Sequence, residues 1–90
     1  MELHPLEELF RGSRKTLRIL RVLFTAQTPL TKYSIESQAA LYNAGAVLKR
    51  LERIGVVKAL GERPKRYVLN RSNQLVSAIE KMMREVNYIP

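Results

Sequence analysis

The 90-residue sequence contains no cysteine and no aspartate, and its single histidine, His4, lies near one end. Without cysteine the chain can form no disulfide, no thiolate nucleophile and no cysteine-ligated metal site. Its eight glutamates are scattered along the chain, and no glycine-rich phosphate loop occurs. We therefore expect a protein that is not an enzyme and that has neither a metal site nor a cofactor.

Long apolar runs are also missing. No stretch approaches the roughly 20 residues that a membrane-spanning helix needs. The N-terminal sequence MELHPLEELF is acidic and lacks the basic-then-apolar order of a secretion signal. These absences predict a cytoplasmic protein without a membrane partner, and the length fits a single domain spanning residues 1–90.

Positive charge, in contrast, is abundant. Sixteen lysines and arginines against eight acids give a net charge of +8. Residues 11–21 carry five cations and no acid, and residues 49–66 carry seven cations and two acids. Such clustering favours an oriented surface for a polyanion, above all nucleic acid, over a basic surface that serves only solubility.

Apolar periodicity predicts five helices, at residues 5–10, 13–25, 31–38, 43–54 and 72–87. Ser13 and Thr31 are expected to cap the second and third helices, and Asn70 or Ser72 the last. Gly55 is placed to end the fourth helix. The sequence VVKALGERPKRYVL then predicts a hairpin with strands 56–60 and 66–69. The predicted fold class is mainly α with a small β-hairpin (α+β).

Two helices joined by a tight turn and followed by a basic hairpin describe a winged helix-turn-helix. The stretch PLTKYSIESQAALYNAGAVLKRLERIGVV resembles the MarR-like and ArsR-like families and small archaeal winged-helix regulators. The resemblance implies a winged-helix core at residues 13–70, an N-terminal helix within residues 1–12 and a C-terminal dimerisation helix within residues 71–90. It also implies a homodimer that binds double-stranded DNA. The cysteine or histidine clusters of ArsR-like metal sensors are absent, so metal sensing does not carry over.

In this family the helix predicted at residues 43–54 lies in the major groove of DNA. Its outward residues are the candidate contacts: Asn43, Gly45, Ala46, Lys49, Arg50 and Arg53. Asn43 either pairs with adenine or caps the helix, and Gly45 permits a close approach either to the groove floor or to the preceding helix. Lys49 and Arg50 can reach guanine or phosphate. Arg53 contacts DNA or pairs with a neighbouring carboxylate.

The hairpin tip supplies a second set of candidates: Arg63, Lys65 and Arg66. These cations could follow the phosphate backbone or enter the minor groove, with Pro64 restricting the tip. In the alternative, the tip is a solvated turn in which Glu62 pairs with an adjacent cation. Tyr67 is expected to pack beneath the hairpin.

Further candidates for DNA backbone contacts are Lys32, Tyr33, Tyr42, Arg14 and Arg18. Arg14, Arg18 and Arg21 form one stripe that could equally pair with acids of the same chain or of a second subunit. Tyr33 could bond a phosphate or pack half-buried beside the turn.

The apolar stripe of the last helix predicts a dimer interface formed by Leu75, Ile79, Met82, Met83 and Val86, because leaving it in water would expose a large apolar patch. In the alternative, this helix folds back on the motif helices. The combined predictions favour a dimeric, sequence-specific transcriptional regulator. A non-specific architectural DNA-binding protein and a winged-helix module that binds an acidic protein surface are the other hypotheses, and the sequence indicates no effector ligand.

Overall fold

Five helices and a three-stranded antiparallel sheet account for the regular structure of residues 3–90, the part of the chain that the computed structural model describes. The helices are α1 (Pro5–Leu9), α2 (Arg14–Thr25), α3 (Lys32–Ala39), α4 (Gly45–Arg53) and α5 (Gln74–Glu85), with a 3-10 turn at Arg11–Ser13. The strands are β1 (Leu30–Thr31), β2 (Val57–Leu60) and β3 (Arg66–Leu69), in the spatial order β1-β3-β2. The predicted α+β class is confirmed. Met1 and Glu2, which belong to the predicted segment 1–12, lie outside the described residues.

Local contacts define several of the helix ends, although Ser13, at the N-cap position of α2 as predicted, makes no capping hydrogen bond with its side chain. Pro5 begins α1, and the Nδ1 atom of His4 accepts a hydrogen bond from the Leu6 amide at 3.0 Å. Thr31 caps α3 as predicted, because its Oγ1 accepts from the amide of Ser34 at 3.2 Å. Gly55 ends α4 with a φ of 83°, a left-handed conformation that glycine adopts without strain.

The start of α5 differs from the prediction. Its N-cap is Asn73, whose side-chain oxygen accepts from the Leu75 amide at 2.8 Å. Asn70 is not available as a cap because its Nδ2 donates to the Gly55 carbonyl at 3.0 Å. Ser72 in turn donates to the side chain of Asn70. The two predicted caps, Asn70 and Ser72, therefore form hydrogen bonds within the turn after β3, and Asn73 caps α5 instead.

Helix α2 lies at the centre of the molecule. Its apolar residues Leu17, Leu20, Leu23 and Phe24 are buried, and so are Ile19 and Val22 on the adjoining faces. A helix buried around most of its circumference must be covered by other elements on several sides. The hydrophobic core that α2 joins also contains Ile35 of α3, Leu48 and Leu51 of α4, Val56, Val57, Leu69, and Val76 of α5.

The last helix folds back on the core. Val76 and Met83 of α5 are fully buried within the chain. After α5 the chain turns at Asn87, which has a φ of 60°, and buries Tyr88 and Ile89 as well. Met83 is 0% exposed, so its predicted place in a dimer interface is wrong for this fold, because its own chain already covers it.

The other predicted interface residues divide into two groups. Ile79 and Met82 are partly buried and pack against the core, whereas Leu75 and Val86 remain 48% and 42% exposed. Ile54 is 51% exposed because it follows the last turn of α4 as its C-cap. The apolar stripe of α5 is thus used mainly within the chain.

Strand pairing connects the hairpin to the start of α3. In the β1–β3 pair, Leu30 lies opposite Tyr67 and Thr31 lies opposite Arg66. Arg66 also faces Leu60 across the hairpin. Tyr67 is partly buried against the core, as expected. The tip end of the hairpin and the cap of α3 are therefore neighbours in one sheet. None of the helices within residues 3–90 is long and apolar enough to cross a membrane.

Candidate nucleic-acid interface

Helix α4 presents one apolar and one basic face. Leu48 and Leu51 are buried in the core, and Val47 packs against it. The opposite face is exposed at Ala46, Lys49, Arg50 and Arg53. These four predicted contact residues therefore reach solvent together, while the apolar face fixes the orientation of the helix.

The start of α4 lies two residues later than predicted. Asn43 has a φ of 59°, so it is left-handed and cannot begin the helix. Ala44 is the N-cap, and its amide donates to the Oε2 atom of Glu36 at 2.8 Å. The alternative in which Asn43 caps α4 is wrong, since the carboxylate of Glu36 fulfils that function. Sequence spacing gave no sign of this contact, because Glu36 lies eight residues before Ala44.

Gly45 has room for a larger side chain. A Cβ atom built at this position would lie 3.8 Å from the Cδ atom of Lys32, which is an ordinary van der Waals distance. Close packing of α4 on α3 therefore does not require a glycine here. Because Gly45 has no side chain, the backbone of the first turn of α4 is partly accessible to an external partner.

One edge of this exposed face continues into the hairpin. Lys32 begins α3 and lies against Gly45, the first residue of α4. Thr31, the preceding residue, is paired with Arg66, which begins β3 next to the hairpin tip. A connected path therefore runs from the α4 start through Lys32 to the cationic hairpin.

The other edge of α4 faces the N-terminal end of α2. The Arg50 guanidinium donates to Oγ1 of Thr16 at 3.0 Å. The ammonium group of Lys15 donates to the carbonyl of Asn43 at 3.2 Å. At 3.6 residues per turn, Gly45 and Arg50 lie about 140° apart around α4, so the two contacts mark opposite edges of its exposed face.

Two tyrosines flank the turn region and are open to solvent. Tyr33 is 76% exposed and Tyr42 is 85% exposed. The Nζ atom of Lys32 lies 5.3 Å from the centre of the Tyr33 ring, within the range of a cation–π contact. The alternative of half-buried packing for Tyr33 is therefore wrong, and both hydroxyl groups can bond an external partner.

The hairpin tip is exposed throughout. Gly61 turns the chain with a φ of 71°, and the side chains of Arg63, Lys65 and Arg66 all lie at the surface. Within residues 3–90, Glu62 forms no ion pair with a neighbouring cation. The solvated turn stabilised by Glu62 is therefore not the arrangement found.

Ion pairing divides the sixteen cations into two groups. Arg18 and Arg21 pair with Glu7, and Arg71 and Arg84 pair with Glu80. The other twelve form no ion pair with an acid of the described chain, and eleven of these lie between Arg11 and Arg66. The acids of these pairs lie on the terminal helices α1 and α5, and the cations between Arg11 and Arg66 other than Arg18 and Arg21 form no ion pair with an acid of the described chain. Arg18, a tentative backbone contact, is held 3.0 Å from Glu7.

Glu7 is a buried carboxylate with three partners. It is 2% exposed, accepts hydrogen bonds from Arg18 and from the Tyr88 hydroxyl, and lies 3.8 Å from Arg21. Burial raises the pKa of Glu7, but these hydrogen bonds and the two positive charges outweigh burial, so its pKa lies below the ordinary 4.5. Burial and the bond to Glu7 raise the pKa of Tyr88. Both groups keep their usual charge at neutral pH.

Comparison of the chain with models of protein families, with curated proteins and with solved structures found no match. In the part of the chain that the structure covers, no three His, Cys, Asp or Glu side chains gather as metal ligands would. The geometry and charge of the surface around α4 are therefore the features of this protein that indicate a function.

Proposed function

We propose that this protein is a cytoplasmic winged helix-turn-helix regulator that binds double-stranded DNA. Helix α4 enters the major groove, and the hairpin contacts the adjacent backbone or minor groove. Ala46, Lys49 and Arg53 near the middle of the exposed face of α4 are the candidate base contacts. The hairpin cations Arg63 and Lys65 supply contacts that do not depend on sequence.

The observation that carries this proposal is the connected path from α4 to the hairpin. The β1–β3 pairing puts Arg66 opposite Thr31, and Lys32, the next residue, lies against Gly45. A DNA backbone is a continuous line of charges. A basic surface that continues from a groove-sized helix into a cationic loop matches that partner better than isolated basic patches do.

Charge distribution supports the same partner. Two acids near this surface are engaged: Glu36 caps α4 through Ala44, and Glu7 is buried among arginines. Glu52 on α4 and Glu62 at the hairpin tip are exposed, and the seven cations of residues 49–66 outnumber them. The exposed Ala46 and the open position at Gly45 allow the helix backbone to come near the base edges. An acidic protein surface would satisfy the charges, but it gives no reason for small residues on the exposed face.

The salt dependence of binding tests the proposal. If a dimer neutralises about eight phosphates, the logarithm of the association constant falls with the logarithm of salt concentration at a slope near −7. Arg63→Ala and Lys65→Ala should weaken binding to all duplexes similarly, each reducing the slope by about 0.9 per bound domain. Lys81→Ala is the matched control. Lys81 is exposed on α5, and its substitution removes the same charge as each hairpin variant does.

Selection of bound sequences from a random duplex pool separates the three hypotheses. An operator site bound about 10³-fold more tightly than random duplex supports a regulator. Equal affinity for both supports an architectural protein. No binding at about 50 mM salt would contradict DNA binding and favour the protein-interaction module.

Homodimerisation is part of the proposal. With Met83 inside the core, the exposed apolar residues at the chain ends are the candidate interface, among them Leu9, Phe10 and Val86. Leu9 and Val86 line the same small apolar recess beside His4. A two-fold dimer would set the two α4 helices about 34 Å apart, one turn of DNA. Sedimentation equilibrium of the wild type and of Val86→Glu tests this part separately.

A further inference from the structure

The edge of α4 opposite the hairpin carries its own cluster of cations. Arg14 and Lys15 begin α2, and together with Tyr42 they line a shallow open groove beside the α3–α4 turn. Arg50 reaches the same edge from α4 through its bond to Thr16. We propose that this edge, the α2 flank, is a second phosphate-binding surface, so that the domain contacts both backbones that border the major groove. The inference rests on the proposed function.

The position of the Arg50 side chain indicates whether it contacts a base or a phosphate of the DNA. Its guanidinium is drawn to Thr16 on α2, about 140° around α4 from Gly45. A base contact needs a side chain near the middle of the exposed face, where Ala46 and Arg53 lie. The Arg50 guanidinium donates one of its five N–H groups to Thr16, and the remaining N–H groups can form hydrogen bonds with a phosphate. Arg50 is therefore a backbone contact, which resolves the choice that the sequence left open.

Lys15 links the flank to the start of α4. Its ammonium group donates to the carbonyl of Asn43 and has two further donors free. A phosphate bound here would lie next to the first turn of α4. The cation thus orients the helix start and supplies positive charge at the same place.

Acids near the flank do not neutralise it. Glu7 is taken by Arg18 and Arg21, and Glu36 is bonded to the amide of Ala44. Glu8 lines a recess together with Arg11, whereas no acid is among the described residues that line the groove of Arg14 and Lys15. Neither of these two cations forms an ion pair with an acid of residues 3–90. A polyanion is the partner that such a pair fits.

Tyr42 adds a neutral donor to the same groove. It is 85% exposed and lies next to Asn43 on the rim. An exposed tyrosine hydroxyl commonly bonds a phosphate oxygen in DNA complexes. Tyr42→Phe should therefore weaken binding slightly and leave the salt slope unchanged, whereas loss of a cation changes both.

The test uses fluorescence anisotropy with one duplex, chosen as the tightest from the selection, and a salt titration. Arg14→Gln/Lys15→Gln removes two charges and keeps hydrogen-bond donors, so the slope should fall by about 1.8 per bound domain. Arg50→Gln should weaken binding by a similar factor at every single-base variant of the duplex. Thr16→Val keeps the side-chain shape and removes the anchor of Arg50, and a smaller uniform loss is expected.

The outcomes separate this inference from the proposed function. If the wild type binds and the hairpin variants weaken it while Arg14→Gln/Lys15→Gln binds as the wild type does, the α2 flank is not a phosphate site. If Arg50→Gln loses preference at one base pair only, Arg50 contacts a base and its assignment here is overturned. Failure of the wild type to bind any duplex overturns the proposed function itself. Circular dichroism of each variant shows that the fold is intact, and Lys81→Gln controls for net charge.

Discussion

The hydroxyl group of Tyr88 donates a 2.8 Å hydrogen bond to the carboxylate of Glu7, eighty-one residues away in the sequence. The same tyrosine ring lies under the guanidinium of Arg21 and packs edge-on against His4, with ring centres 5.0 Å apart. The two ends of the described chain are thereby fastened over α2. This polar cluster makes distinct predictions about stability, because Glu7 and Tyr88 are both buried.

Tyr88→Phe should lower the free energy of unfolding. The change removes the hydroxyl that satisfies a buried carboxylate oxygen, and such a loss costs about 1–3 kcal/mol. Urea denaturation of wild type and variant measures it. Tyr42→Phe is the control, since that exposed hydroxyl has no bond within residues 3–90, and its effect should stay within about 0.5 kcal/mol. Equal stability of both variants would contradict the buried bond.

Acid should destabilise the protein through Glu7. The pKa of Glu7 is lower in the folded state than its ordinary 4.5, so its ionised form stabilises the fold above that value. This stabilisation is lost as the pH falls from about 5 through the folded pKa. Thermal melts from pH 6 to pH 3 should therefore show a falling midpoint.

Glu7→Gln should be less stable at pH 6 and show a shallower decline with acid. Glu80 also has a lowered pKa, chiefly through its hydrogen bond from Arg84, so a part of the acid sensitivity should survive in Glu7→Gln. Identical pH profiles for the wild type and Glu7→Gln would show that Glu7 does not carry this effect.

Met83→Ala should be strongly destabilising. Met83 is completely buried among core residues of its own chain, and truncation of such a side chain costs about 2–5 kcal/mol. Leu75→Ala, at an exposed position of the same helix, should cost under about 1 kcal/mol. Chemical denaturation at two protein concentrations measures both. A Met83→Ala penalty that disappears on dilution would place this residue at a subunit interface.

Gly45→Ala should weaken DNA binding without lowering the stability of the fold. The new methyl group meets only Lys32 at an ordinary distance, and alanine is favoured over glycine in helices by up to about 1 kcal/mol. The thermal midpoint should therefore stay the same or rise. Affinity for the selected duplex should fall, because a side chain now stands where the helix approaches the groove. Unchanged affinity would mean that Gly45 does not face the DNA closely.

Glu36→Ala should loosen the start of α4. It removes the carboxylate that accepts from the Ala44 amide, and loss of a cap costs about 0.5–2 kcal/mol. Glu36→Gln keeps an acceptor and should retain most of the stability. Hydrogen exchange at the first amides of α4 gives a local measurement, with faster exchange expected in Glu36→Ala only. Equal protection in both variants would assign the cap to another group.

Much of the fold follows from local sequence signals. The periodicity of α2 and α4, the cap at Thr31 and the stop at Gly55 depend on residues that lie close together, so their effects are visible along the chain. The hairpin and its exposed cations were predicted for the same reason. Both ends of α4 lay within two residues of the prediction.

Contacts between distant residues were not predictable. Nothing near Glu7 in the sequence indicates that Arg18, Arg21 and Tyr88 surround it, and the role of Glu36 depends on how α3 and α4 meet. The apolar stripe of α5 could mean either an interface or a core face, since periodicity identifies a buried face and not what covers it. The bond between Arg50 and Thr16 likewise depends on packing across 34 residues.

The chain beyond α5 has a practical consequence for shortened versions of the protein. Tyr88 and Ile89 come after the last helix, where trimming is usually harmless, yet both are buried. Removing residues 88–90 would take away the aromatic ring that lies under the Arg21 guanidinium and the buried side chain of Ile89, with the effect of a mutation in the interior. A protein ending at Asn87 should therefore melt at a lower temperature and expose new surface to hydrophobic dyes, although its five helices and its hairpin would all still be encoded.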